Sequence, residues 1–206
     1  MGKRKLFVIG DSVSIHYGPY LKKMIEDKFD YDRKRGIEQA SEDLDRAVGA
    51  NAGDSEMILE YLIEEYHKST KYDVLIINCG LQDIRVDRFS NRIQVKLEEY
   101  KMNLTKIIEL TKSMANKIIW IGLTPVIDEI HNSRESGFLR YNEDVKAYDI
   151  ASKDIMREHK ITCIDMYNFT KALGDDIYLD HVHFNDEIRK LQAAFIAGYL
   201  NCIHNN

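Results

Sequence analysis

The 206 residues, 44% hydrophobic and 31% charged, have the balance of one ordinary globular domain spanning 1–206, which excludes disordered, collagen-like and membrane-embedded chains. A formal net charge of -5, with acidic and basic residues interspersed, leaves no electrostatic footprint for nucleic acid. Cys79, Cys163 and Cys202 are odd in number, widely spaced and without a Cys-x-x-Cys, so neither a disulfide framework nor a zinc site is expected.

In chain order, Lys3, Arg4 and Lys5 precede an apolar run at 6–9 that is too short for a signal-peptide core or a bilayer span. The sequence therefore reads as cytoplasmic, with no membrane partner. Residues 6–9 are predicted as a buried strand, followed by Gly10-Asp11-Ser12 and a helix expected to start near Pro19. The charge-dense segment 30–46 is expected to hold a second strand, a short surface helix, or both. Asn51-Ala52-Gly53-Asp54-Ser55 leads into a helix whose apolar face is Ile58, Leu59, Leu62, Ile63 and Tyr66. A second apolar run at 74–79 ends on Gly80-Leu81-Gln82-Asp83, and the next helix carries Ile93, Leu97, Tyr100, Leu104, Ile107 and Ile108.

A third apolar run at 118–123 closes on Thr124-Pro125, and the polar segment 131–138 suits either a substrate-selecting loop or a plain surface loop. Tyr141-Asn142 opens a further helix, and a weaker strand is expected at 162–165. Cys79 and Cys163 fall within strand runs as small core hydrophobes. After Asp180-His181-Val182-His183, the last helix begins beyond Asn185, with Asp186 and Glu187 in its first turn and Ile188, Leu191, Ala194, Phe195 and Leu200 as its apolar residues. Strands alternating with helices predict an α/β fold with a parallel sheet.

Four polar clusters fall on loops at one edge of that sheet, the carboxyl ends of its strands, where open α/β sheets place their sites. Gly10-Asp11-Ser12 taken alone is more often a turn or helix cap than a nucleophile, but at this position it can also present a serine beside backbone N–H groups able to face an oxyanion. An Asp three residues before a His allows Asp180 to fold back on His183 and fix its tautomer, as a general base for a serine requires. The rivals for that segment are a polar loop capping the last helix and metal binding through His181 and His183; no further His/Asp/Glu cluster completes a first shell.

Four such loops in the order Ser, Gly, amide, Asp-x-x-His resemble an SGNH hydrolase of the GDSL superfamily over nearly the whole chain. The resemblance implies a three-layer α/β/α flavodoxin-like fold with a mainly parallel sheet of about five strands. It also implies metal-independent acyl hydrolysis without a cofactor through a covalent acyl-serine. Carried over by residue, it makes Ser12 the nucleophile, His183 the base and Asp180 its orienting partner, with an oxyanion hole from Ser12, Gly53 and Gln82. The family's Gly-x-Asn-Asp stands here as Gly80-Leu81-Gln82-Asp83, so the amide is kept on a side chain one methylene longer.

The implied substrate is a small O-acyl ester, with acetylated carbohydrate first. A lysophospholipase or thioesterase would use the same machinery and should respond oppositely to acyl length. A non-catalytic flavodoxin-like module would instead cradle phosphate at the helix N-termini near Ser12 and Gly53, although no Gly-x-Gly-x-x-Gly or Walker sequence is present. The Gln82 substitution also raises the reading of a degenerate, inactive hydrolase.

Overall fold

The three apolar runs become the centre of a five-stranded parallel sheet in the computed structural model, which describes residues 2–134 and 137–204. The strands are β1 (Arg4–Ile9), β2 (Phe29–Arg33), β3 (Tyr72–Ile77), β5 (Ala115–Ile121) and β7 (Thr162–Ile164), in the spatial order β2-β1-β3-β5-β7. Their register sets Val8 beside Ile76 and Ile76 beside Ile119, so three fully buried side chains line one row across the sheet. Strands buried on both faces read as continuous apolar runs, and these do.

Helices form two packed groups. Helix α1 (Ser12–Met24) lies against α8 (Asp186–His204), while α3 (Ser55–His67), α4 (Leu97–Thr111) and α6 (Asn142–Glu158) pack in series. The 30–46 segment supplies both the edge strand β2 and a short helix, α2 (Ile37–Glu42). A two-stranded antiparallel ribbon, β4 (Val86–Asp87) with β6 (Phe138–Leu139), and two short helices, α5 (Asp128–Asn132) and α7 (Met166–Lys171), complete the elements. Glu135 and Ser136, part of the predicted 131–138 loop, lie outside the described residues. Among the described residues no helix is long and apolar enough to cross a membrane. Cys79 is buried in the core and Cys163 packs against it, both as free thiols.

Four helix expectations are corrected. Helix α1 starts at Ser12 and not near Pro19, because the Asp11 carboxylate caps it by accepting from the N–H groups of Val13 and Ser14. Pro19 therefore sits inside the helix. In α3, Ile58 and Leu62 are buried but Ile63 and Tyr66 are exposed, and Ile93 precedes α4 in a bridge with Val86. Helix α8 does begin after Asn185, whose Oδ1 accepts from the Ile188 N–H at 3.2 Å. Its inward face is Ile188, Gln192, Ala193, Ile196, Ala197 and Leu200, with Leu191 and Ala194 turned outward. Packing on α1 rotates the buried stripe, and Gln192 is tolerated inside because its Nε2 donates to Thr170 Oγ1.

The sheet order reverses between β1 and β3, since β1 connects outward to β2 while the chain later continues through β3 and β5 on its other side. The crevice at such a switch point is where an open α/β sheet binds ligand. Ser12 follows β1 directly and the Gly80–Asp83 loop follows β3, so two of the four polar clusters flank it.

Candidate active site

Ser12 is the first residue of α1 and almost fully buried. Asp11 takes the next two N–H groups, while the N–H of Ser12, in the first helical turn, has no intrahelical partner and is available to an anion. Burial pushes the Asp11 carboxyl up, opposed by its backbone donors and by the positive charge of Arg140. The turn is braced from below by Arg33, whose guanidinium donates to Ser14 O, Ser14 Oγ and Ala50 O.

Gly53 is brought alongside by a parallel bridge between Gly10 and Asn51, with Ala52 N–H donating to Gly10 O at 3.0 Å. Its φ of +80° is left-handed, a conformation that favours glycine. The Gly53 N–H donates to Asn51 Oδ1 at 3.2 Å. Gly80, with φ +138°, starts the third loop where a Cβ would meet Leu123 at 2.4 Å. Gln82 in that loop is 4% exposed, and its amide makes no hydrogen bond among the described residues. Asp83 ties the same loop to the head of α3 by accepting from Ser55 N–H at 2.9 Å.

The fourth loop closes the constellation. Asp180 Oδ1 accepts from the N–H groups of Val182 and His183 at 2.9 and 2.8 Å, which curls the chain so that Oδ2 meets His183 Nδ1 at 2.8 Å. His183 Nε2 then lies 2.8 Å from Ser12 Oγ. With Oδ2 fixing Nδ1 as the protonated nitrogen, Nε2 is the acceptor facing the serine hydroxyl. Burial opposes ionisation of Asp180, but the imidazole and the two backbone donors outweigh it and hold the carboxyl well below the usual carboxylate range.

Around this line lie residues that no motif announced. The His16 ring packs edge-on against His183 with centroids 4.8 Å apart, and burial together with the neighbouring His183 holds it neutral, its pKa pulled down to about 4. His131 and His181 form a row toward His183, with centroids at 4.8 and 5.8 Å. Arg140 donates from Nη1 to His131 Nε2 and Arg134 from Nη1 to His181 Nε2, and since guanidinium cannot accept, both imidazoles accept and are neutral. Burial leads in lowering both, His131 to about 3 and His181 to about 4.

Asp180, His181 and His183 each offer a ligand atom within 4.8 Å of the others, as the metal reading required. Both ring nitrogens of His183 are already engaged, however, and Nε2 of His181 faces Arg134. A cation held by this trio would have to take His183 from Asp180 or from Ser12.

Residues 8–191 match the family model described as GDSL-like Lipase/Acylhydrolase family. No curated protein sequence matches the chain. Among solved structures, the fold is similar to the lipase/acylhydrolase from Enterococcus faecalis, at 17% identity, TM-score 0.70, covering 96% of this chain and 95% of that one. It is similar as well to an acetylxylan esterase from Geobacillus stearothermophilus, at 18% identity, TM-score 0.68, with 95% and 93% covered. A carbohydrate acetylesterase from Sinorhizobium meliloti is similar at 14% identity, TM-score 0.65, with 98% and 100% covered.

Proposed function

The chain belongs to the GDSL-like lipase/acylhydrolase family, and we propose that within it the protein is a metal-independent serine esterase that removes small O-acyl groups, acetyl on carbohydrate first. The observation that carries this reading is the unbroken line Asp180 Oδ2 to His183 Nδ1 and His183 Nε2 to Ser12 Oγ, both at 2.8 Å.

In the first half-reaction Ser12 Oγ bonds to the ester carbonyl carbon while its proton passes to His183 Nε2. The oxyanion is received by the N–H of Ser12 and the amide of Gln82, neither of which has a hydrogen-bond partner among the described residues. Gly53 N–H joins them by leaving Asn51 Oδ1, a neutral acceptor 3.2 Å away that a charged oxygen outcompetes. Collapse breaks the bond to the leaving alcohol, which takes the proton from His183. Water then adds to the acyl carbon, giving its proton to His183; the second collapse returns that proton to Ser12 and releases the acid.

Acetylated saccharide as substrate is supported by the acetylxylan and carbohydrate acetylesterases among the similar structures. The test is a panel of aryl esters of increasing acyl length and acetylated sugars, assayed with wild type and Ser12→Ala. Turnover should fall as the acyl chain lengthens; a rise would mark a lysophospholipase or thioesterase. A serine-reactive fluorophosphonate should inhibit and add mass to the peptide holding Ser12. Activity should survive dialysis against EDTA, whereas loss restored by zinc would favour the metal reading of His181 and His183.

A further inference from the structure

Arg140 is 2% exposed, yet its two hydrogen-bonding nitrogens reach only neutral acceptors. Nε donates to Leu81 O at 2.6 Å and Nη1 to His131 Nε2 at 2.9 Å. No carboxylate among the described residues pairs with it. A buried cation without an anion is costly, and proteins ordinarily resolve it with an ion pair or a bound ligand.

The neighbourhood adds further positive charge. Three guanidinium groups surround the Phe138 ring, those of Arg85, Arg134 and Arg140 at 4.1, 5.4 and 4.9 Å from its centroid. Among the described residues the one carboxylate they contact is Asp45, which pairs with Arg134 at 2.7 Å, while Arg85 takes only the Asp45 backbone carbonyl. His131 and His181 contribute no charge. Burial, and next the charge of Arg85, pull the Arg140 pKa down to about 9, against the opposing charges of Asp45 and Asp11, neither of which pairs with it directly.

The position of Arg140 connects this charge to the chemistry. Leu81 is the residue before Gln82, the His131–His181 row leads to His183, and the charge of Arg140 is felt by Asp11 next to Ser12. Its third nitrogen, Nη2, makes no hydrogen bond among the described residues and is not among their fully buried unpartnered polar atoms. The guanidinium is thus held by two nitrogens and open at the third.

Building on the esterase reading above, we propose that Arg140 makes the site selective for esters bearing a carboxylate close to the scissile acyl group, with Nη2 as its docking point. One open nitrogen carrying two N–H donors suits a singly charged carboxylate better than a dianionic phosphate, which needs more donors. The carboxylate can sit on either half of the ester, on a dicarboxylic acyl group or on an acidic sugar.

Two matched substrate pairs test this: an aryl hemisuccinate against the aryl acetate, and an acetylated uronic acid against the acetylated neutral hexose. In wild type one anionic member should exceed its neutral partner in kcat/KM by about tenfold to a hundredfold, the worth of a charged hydrogen bond, and the ratio should shrink in high salt. The pair that discriminates identifies the half carrying the charge. Arg140→Gln should bring that ratio to about one, with Arg140→Lys in between.

A wild-type ratio at or below one in both pairs overturns the proposal, as does an Arg140→Gln protein that slows both members equally, the mark of a positioning role through Leu81. If Arg140→Gln does not fold, the wild-type ratios and their salt dependence still decide. Failure of the esterase reading looks different: no member of either pair is hydrolysed and fluorophosphonate leaves Ser12 unlabelled.

Discussion

The two halves of the site are built differently. Ser12 stands on the sheet itself: β1 delivers it, Asp11 caps its helix, and Arg33 and the Gly10–Asn51 bridge pin the surrounding backbone. His183 stands on a loop beyond the last strand, held by a bridge between Tyr178 and Phe184, by Tyr178 Oη donating to Pro125 O, and by Asp180. The serine half has many supports sharing the work, whereas in the histidine half one carboxylate both shapes the turn and orients the ring. Rigid placement of a nucleophile can thus be distributed over the core, while the orientation of its base depends most directly on one carboxylate.

Removing the nucleophile is expected to have the largest effect on turnover and the least on the fold. Ser12→Ala should lower kcat by about 10⁴-fold or more, and the Ser12→Ala/His183→Ala double variant should be little worse, because the two act as one unit. Thermal unfolding should stay near wild type, since the supports of the turn come from Asp11 and Arg33 and not from the serine hydroxyl. Near-wild-type turnover in Ser12→Ala on the best ester would remove the nucleophile from the scheme.

Asp180 is where the contrast between the halves can be measured directly. Asp180→Asn should cut kcat by about 10³-fold to 10⁴-fold, because the amide can present the wrong partner to His183 Nδ1. Asp180→Ala removes the turn acceptor as well and should lose additional stability of about 0.5–2 kcal/mol, as loss of a capping-type acceptor does. The carboxyl is depressed in the folded state, so its contribution to stability is present above the unfolded pKa and disappears as the pH falls through the folded one. Unfolding curves of wild type and Asp180→Ala should therefore converge only in strong acid.

Much of this arrangement was legible in the sequence because its signals are local. Apolar runs mark the central strands, two of the polar clusters directly follow such runs, and an Asp three residues from a His needs only a turn to meet it. The start of α1 is not where Pro19 suggests, because Asp11, eight residues earlier, supplies the cap. The arginine and histidine cluster was invisible for another reason. Arg85 and His181 are distant in sequence from His131, Arg134 and Arg140, and only the folded chain gathers them around Phe138 and His183. His16 lay in plain sight four residues after Ser12, where one helical turn carries it to the face that α8 and the His183 loop cover.

Gln82 belongs to the well-braced half, and its expected effect is intermediate. Its amide has no competing partner, so Gln82→Ala should lower kcat by about 10²-fold to 10³-fold with little change in KM, as for a donor used chiefly in the transition state. Gln82→Asn shortens the reach by about one ångström in a loop fitted to the longer side chain, and partial activity is expected. Unchanged kcat in Gln82→Ala would leave the oxyanion to the backbone donors alone.

The smallest effect expected is on stability, and it probes the loop that carries Gln82. Asp83 is fully buried, with Oδ1 on Ser55 N–H and Oδ2 without a partner, and burial leads in pushing its pKa up to about 7, against the Ser55 bonds that pull it down. A carboxyl raised in the folded state contributes stability that is complete below its unfolded pKa and is lost as the pH climbs through the folded value. Asp83 should therefore favour folding in mild acid and oppose it progressively from about pH 4 to pH 7. The buried neutral histidines work the other way over part of that range, because His16 and His131 are lowered and their contribution is lost as the pH falls. A single stability profile of the wild type mixes the two signs. The difference between wild type and Asp83→Asn removes the histidines from the comparison, since they are common to both proteins. That difference, read from urea unfolding at pH 5 and pH 8, should move toward the variant as the pH rises; a flat difference would mean that Asp83 is ionised throughout and that its loop is held by charge.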